Sequence, residues 1–394
     1  MIRIPPRVVD ALAAVPTPVC AYVYDRSVVV DQIARVRAQL PPGAELYFAI
    51  KANSHPSLLE AALPHVDGVE VASGGELRLA AAAQTPRIVL SGPAKTDAEL
   101  THALRQYGAR DAHECRVLIN AESLHELRRI DHLARRNQVT VDVTLRINRK
   151  SRAPHGALRM TGDTVFGIDE SQLGPIVGEV AELDSLRLRG FHLHAVSNCL
   201  DAGAYAEFVR DSVSWSQRTA DELGISLEVI NVGGGIGVDY SGSQAFDLTE
   251  LGAQLPIPPR GIRLMFELGR FLTADAGWYA AEVVDLKSNH GRWFASLRGG
   301  THHFRLPAAW RYSHPFAVLP VERWPYPFPR PTVVDSEIDI AGELCTPRDV
   351  LCRNQWVQRL RVGDVLVFAR TGAYGWEVAH HDFLSHDPPR FLIL

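Results

Sequence analysis

Residues Glu45–Pro56 read ELYFAIKANSHP: six strand-like residues, then a lysine, then a polar turn that ends in proline. An apolar strand that terminates in Lys51 is unusual, because an unpaired ammonium near a protein interior is costly and is driven toward the neutral amine. A neutral amine is what a Schiff-base lysine needs. Taken alone, the residue is equally well read as an ion-paired surface lysine, so its meaning depends on what surrounds it.

Outward from this stretch the pattern repeats. Short apolar, β-branched or aromatic runs recur at Glu45–Ile50, Gly68–Ala72, Arg87–Ser91, Arg116–Asn120, Val141–Ile147, Leu188–His194, Leu227–Val232 and Arg263–Leu268. Helix-like sequence fills most of the gaps. In Ser123–Arg136, Leu124, Leu127, Ile130 and Leu133 recur at three-residue steps behind a serine placed to cap them. Eight alternating units over roughly 250 residues predict an α/β fold, a (β/α)8 TIM-type barrel of buried parallel strands. After Ala274 the rhythm changes to short strand-like pieces broken by Pro and Gly (Trp278–Leu286, Trp293–Leu297, Thr332–Ile340, Asp364–Ala369), which predicts a second, all-β C-terminal domain. The expected division is a barrel over 24–274 and a β domain made of 1–23 plus 275–394. The Pro-rich run Leu319–Pro331 is read as a loop within that domain, because strand-like sequence resumes at once beyond it.

Composition narrows the function. The 394 residues carry 41 Lys+Arg against 45 Asp+Glu, a formal net charge of -4, so no polybasic surface points to nucleic acid or an anionic membrane. A small-molecule substrate is expected. Five cysteines, odd in number and without C-x-x-C spacing, argue against a disulfide framework or a zinc ribbon and fit a reducing compartment. No apolar segment is long enough to span a membrane, so the chain is expected to be soluble and cytoplasmic. His302-His303 and His380-His381 suggest a metal site, but neighbouring strand residues point to opposite faces, so no metal is expected.

In a barrel of this kind, reactive groups gather where the strands end. Lys51 follows the first strand, SGGEL the second, His194 and Ser197 the sixth, Gly233–Gly235 the seventh, and Glu267 and Arg270 the eighth. The triple glycine lets backbone N–H groups approach an anion closely, and Arg270 can fork onto the same phosphate. Read alone, GGGIG is a tight turn, and it lacks the spacing of a dinucleotide fingerprint.

YFAIKANSHP, VASGGEL, SGPAKTDAEL, GFHLHAVSN, NVGGGIG, FELGRFL, AGELCTPRDVL and RTGAYG occur in an order and spacing that resembles the pyridoxal-5'-phosphate (PLP) ornithine/diaminopimelate decarboxylases, from about Thr17 to Phe383. The resemblance implies that Lys51 carries the cofactor and His194 stacks on its ring. It implies that Ser197, Gly233, Gly234, Gly235, Arg270 and Tyr374 hold the phosphate, and that Glu267 pairs with the ring nitrogen. A carboxylate about 4 Å from that nitrogen contributes roughly 4 kcal/mol at an effective dielectric near 20. Alanine racemases, which share the barrel, place an arginine there instead. Cys345 matches the cysteine that the family contributes across a homodimer interface to return a proton; otherwise it reads as a small buried hydrophobe. A noncatalytic PLP-binding protein would resemble the barrel alone, without Cys345 or Tyr374.

One departure bears on the substrate. Where the family places an acidic residue just after the cysteine to receive a distal ammonium, this chain has Thr346, Pro347 and Arg348. Ornithine and lysine are therefore expected to be poor substrates. Asn148–Asp163 is expected to form a lid, with Arg149, Lys150, Arg152 and Arg159 against the single acid Asp163. It reads either as a solvated loop or as a rim that recruits a polyanion. Together these features look most like the siderophore branch of the family, in which a citryl-diaminopropionate conjugate is decarboxylated during staphyloferrin B-type synthesis. A carrier-bound aminoacyl substrate or meso-diaminopimelate are the alternatives. Arg146, Thr346 and Arg348 are the expected substrate contacts.

Overall fold

A computed structural model of the chain describes residues 2–108, 116–150 and 154–394. Eight parallel strands, β1 (Glu45–Ala49), β2 (Gly68–Val71), β3 (Ile88–Leu90), β4 (Val117–Ala121), β5 (Val141–Asn148), β6 (Leu186–His192), β7 (Val229–Asn231) and β8 (Arg263–Leu268), close on themselves. Each pairs with the next in sequence, and β8 returns to β1 through Glu267 opposite Tyr47 and Leu268 opposite Phe48. A short strand, Ile168–Asp169, is added beyond the end of β5. The expected barrel is observed, its strands within a few residues of the apolar runs that announced them.

Local chemistry fixes the connections. The helix Leu124–Asn137 starts where the Ser123 hydroxyl accepts from the Glu126 N–H, and it buries Leu127, Ile130 and Leu133. Asp97–Tyr107 begins with a reciprocal capping box between Thr96 and Glu99. Inside the barrel, Tyr47, Val89, Leu118, Val229 and Met265 come from five different strands and pack into one cluster. Side chains fill the interior, leaving chemistry to the ends.

The chain divides into two compact units: 30–239 with 243–272, and 2–29 with 240–242 and 273–394. The second is mostly sheet. Gly277–Asn289 lies at its centre, pairing with Cys20–Tyr24, Arg292–Leu297 and Val365–Ala369, while Thr332–Ala341 and Val350–Arg361 extend one side. The N-terminal helix Pro6–Ala13 packs Val8 and Leu12 against Val19, Val23, Trp278 and Val367. Val350–Arg361, unrecognised in the sequence, is a strand at the end of the sheet. Its residues are polar because much of its length faces solvent. Residues 320–331 form the expected loop between Phe316–Leu319 and Thr332–Ala341.

Candidate active site

Lys51 sits in a single 3-10 turn, Ile50–Ala52, directly after β1. Its Nζ donates to Oε2 of Glu70, a fully buried residue of β2, at 2.6 Å. The lysine side chain keeps 41% of its surface exposed, so the amine is both anchored and within reach of a ligand.

Glu267 is buried near the end of β8. Its Oε1 accepts from Asn231 Nδ2 of β7 at 2.6 Å and from Asn120 Nδ2 of β4 at 3.2 Å, while Oε2 lies 3.6 Å from Nε2 of His192. Asn120 is fixed in turn by Ser91 and Thr144. Burial, reinforced by the Glu70 carboxylate, pushes Glu267 up to about 7, against the opposing pull of Lys51 and the two amides. A buried carboxylate held through one oxygen, whose ionisation is this costly, fits a cationic N–H partner.

His192 and His194 lie with rings 6.2 Å apart and nearly parallel. Desolvation, then the Arg146 guanidinium, drives both well below the usual histidine range, so both are neutral rings. The triple glycine is demanded by this packing. A Cβ on Gly233, where φ is +68°, would stand 2.5 Å from the His194 ring, and one on Gly234 would stand 2.4 Å from the Glu267 carbonyl oxygen. The same absence of side chains leaves a cradle of bare backbone beside His194. Arg270 is buried immediately after β8, and Ser197 lies in a two-residue strand paired with Leu158–Arg159.

Arg146 is less available than its expected role requires. It is buried, donates to Glu122 Oε1 at 2.8 Å and lies 4.5 Å over the Phe166 ring. The stretch expected to form a lid is, in its described part, less cationic than its sequence. Arg149 turns inward to Asp211 at 2.8 Å and to the Trp215 ring at 4.9 Å, leaving Lys150 and Arg159 exposed. Arg152 lies outside the described residues.

In the β domain, Cys345 is exposed on a loop built around the buried Asp349. That carboxylate accepts from the Thr301 N–H at 2.6 Å and the Leu344 N–H at 2.8 Å. Glu343 beside it pairs with Arg298; burial raises its pKa, but hydrogen bonds from His302 and Arg298 carry it down to about 2. Thr346 and Arg348 follow on the same loop, and Tyr374 belongs to the same unit with φ +55°. His302 and His303 lie in a turn rather than a strand, and their rings are 3.9 Å apart, so the opposite-faces reasoning does not apply to them. His303 is engaged instead by Cys20 Sγ and the Asp387 carbonyl. Among the described residues, no group of three or more His, Cys, Asp or Glu is arranged to hold a metal.

The residues missed in the sequence are Glu70, Asn120, Asn231, His192 and Asp349. Three of them carry a readable signal: a carboxylate or amide inside an otherwise apolar parallel strand, as in GVEVA, RVLIN and EVINV.

A closed barrel with a strand-end lysine, a buried acid and a glycine cradle, joined to a sheet domain, defines a fold shared by PLP enzymes. The pyridoxal-binding domain of the pyridoxal-dependent decarboxylases matches residues 26–274, and the chain belongs to that family. It is a PLP-dependent carboxy-lyase. Over 400 residues, covering all of this chain and 98% of the relative, it is 36% identical to the 2-[(L-alanin-3-ylcarbamoyl)methyl]-2-hydroxybutanedioate decarboxylase of Staphylococcus aureus. It is 31% identical to the L-glutamyl-[BtrI acyl-carrier protein] decarboxylase of Niallia circulans, over 93% of this chain and 87% of that one. Among solved structures, the diaminopimelate decarboxylase of Helicobacter pylori with L-lysine superposes with a TM-score of 0.84 at 24% identity, over 98% of this chain and 93% of that one, a likeness of fold.

Proposed function

We propose that the enzyme removes CO2 from the amino-acid end of a citrate–diaminopropionate conjugate, as a step in siderophore synthesis. The observation that carries this reading is the full-length identity of 36% to a decarboxylase named for such a conjugate. Thr346 in place of an acid, with Arg348 two residues on, supports it, because the position that would receive a distal ammonium carries a hydroxyl, while the carboxylates of the same loop, Asp349 and Glu343, are committed to backbone N–H groups and to Arg298.

Lys51 would hold the cofactor through its amine, which Glu70 keeps in place at 2.6 Å. Bound PLP supplies an electron sink for the pair left behind when CO2 departs. Glu267, with its raised pKa, would hold a proton on the ring nitrogen, and the neutral His194 ring would offer the cofactor an uncharged aromatic face. Backbone N–H groups of Gly233–Gly235, with Ser197, Arg270 and Tyr374, would receive its phosphate. Cys345 Sγ returns a proton to the substrate carbon, the Asp349 carboxylate holding its loop in place. We assign the enzyme to the cytoplasm as a homodimer in which Cys345 of one copy serves the barrel of the other. Among the described residues no helix is long and apolar enough to cross a membrane.

CO2 release by the PLP-loaded enzyme from citryl-diaminopropionate, meso-diaminopimelate, ornithine, lysine and arginine tests the proposal. Turnover of the conjugate alone is expected. Turnover of diaminopimelate or a basic amino acid in preference to the conjugate overturns the substrate while leaving the chemistry intact.

A further inference from the structure

Lys95 is a second lysine at the end of the barrel, and it takes no part in the steps assigned to Lys51, Glu267 and Cys345. It follows β3, directly before the capping box at Thr96, and is only 5% exposed. An ammonium has three hydrogens to donate. Lys95 Nζ places them on the Gly92 carbonyl at 2.7 Å, the Asn120 carbonyl at 2.8 Å and Glu126 Oε1 at 2.9 Å. With every donor committed and its charge matched, this lysine is no second nucleophile. Glu126 is tied as firmly, its Oε2 accepting from the Glu122 N–H at 2.7 Å.

A buried ion pair is a poor way to add stability, because desolvation offsets most of its attraction and an apolar pair of similar volume often serves as well. What an apolar side chain could not do is hold two carbonyls and a carboxylate at one point. The Asn120 carbonyl is one of those three, and the Asn120 side chain carries the next link. Its Nδ2 donates to Ser91 Oγ at 2.9 Å and to Glu267 Oε1 at 3.2 Å, while its Oδ1 accepts from the Thr144 hydroxyl. Lys95 thus grips the backbone of the amide that grips Glu267. The 3.2 Å bond is the longer of the two that Glu267 accepts from amides, so it has the most to lose from a small shift of Asn120.

We infer that Lys95 is a positioning residue for the decarboxylation: by holding the Asn120 carbonyl it keeps that amide, and so the Glu267 carboxylate, in register for the cofactor ring, with Glu126 as its counter-charge. The inference rests on the role given to Glu267 above and adds the residue that orients it.

Lys95→Met and the double variant Lys95→Met/Glu126→Gln separate positioning from simple charge pairing. The single substitution orphans a buried carboxylate, so its melting temperature should fall; the double one removes both charges and should recover most of that loss. Stability and function then part. Both variants, loaded with PLP, are expected to lose about tenfold in kcat on citryl-diaminopropionate with KM within about a factor of two, as a displaced catalytic group implies. Both should also alter the visible circular dichroism of the bound cofactor, which reports how the ring is held and needs no substrate. A double variant with wild-type dichroism or wild-type kcat overturns the inference and leaves Lys95 a structural charge. If Lys95→Met alone does not fold, the double variant decides by the same two readouts, and if the conjugate is not turned over, the dichroism decides by itself. Glu267→Gln, measured alongside, tells the two readings apart. If it keeps wild-type kcat, the role of Glu267 falls and this inference with it; if it loses kcat while the double variant does not, the inference alone falls.

Discussion

At the end of the barrel nearly every charge is answered: Lys51 by Glu70, Arg146 by Glu122, Lys95 by Glu126, and Glu267 by two amides. On the Cys345 loop of the β domain, the thiol and Arg348 are exposed instead. The first arrangement resembles a machine set before its ligand arrives, since buried charges without partners would cost more than the fold can spare. The second has no such constraint, since an exposed guanidinium group can wait in water for an anion at little cost. Damage to the first should therefore appear in kcat, and loss of an exposed guanidinium in KM.

The largest expected effect is at Glu267. Glu267→Gln keeps the shape of the site and the amide bonds but no longer holds a proton on the ring nitrogen. A loss of roughly 4 kcal/mol would lower kcat about a thousandfold. The absorbance of the bound cofactor should persist, and KM should change little. A variant with wild-type kcat would remove Glu267 from the chemistry and break the comparison at its root.

Cys345 comes next. Cys345→Ala should lower kcat about a hundredfold, within the usual range for loss of a positioned proton donor. Asp349→Ala sharpens the point, because it leaves the thiol in place while orphaning the Thr301 and Leu344 N–H groups, at a cost of about 1–3 kcal/mol each. Thermal melting should fall, and kcat should drop with it. A destabilised variant with full kcat would show that the loop does not position Cys345.

Smaller still is the response to salt. Raising ionic strength from about 0.1 M to about 1 M shortens the screening length from about 10 Å to about 3 Å. KM for a polycarboxylate substrate should rise severalfold, whereas kcat, set by pairs buried in the barrel, should hold. A salt-insensitive KM would mean that the exposed Arg159 and Arg348 do not receive the substrate.

The barrel was legible because buried parallel strands write themselves as apolar runs, and their ends as lysine, glycine and acid in fixed order. Lys51, Glu267 and Gly233–Gly235 were found this way. Asn120 and Asn231 were not, because an amide within a strand has no periodicity of its own and gains meaning only when β4, β7 and β8 close around Glu267. The Cys345 loop was half legible. Thr346 and Arg348 stood out as departures from a known block, but Asp349 read as one more charge until the fold set its carboxylate against the Thr301 and Leu344 N–H groups. The stretch Asn148–Asp163 shows the converse: its four basic residues looked like one surface, yet Arg149 is spent on Asp211 and Trp215.

The last prediction concerns stability without cofactor, where the barrel's internal charges can be read against pH. Glu267 is raised to about 7 in the folded protein, above an unfolded value near 4.5, so the folded chain holds this proton more tightly. Its contribution is fully present below about pH 4.5 and is lost as pH rises through 7, about 3 kcal/mol in all. His192 and His194 act oppositely: their folded values are depressed, so they favour the fold above the unfolded histidine value and cost stability as pH falls below it. The three slopes overlap in the apoenzyme, and the difference between wild type and Glu267→Gln isolates one of them. The variant should gain stability relative to wild type as pH rises from 5 to 7.5, measured by urea unfolding of apoenzyme. With PLP bound the gain should disappear, because a cationic ring partner makes the ionised carboxylate the favoured form. A gain that persists in the holoenzyme would mean that the ring nitrogen does not face Glu267.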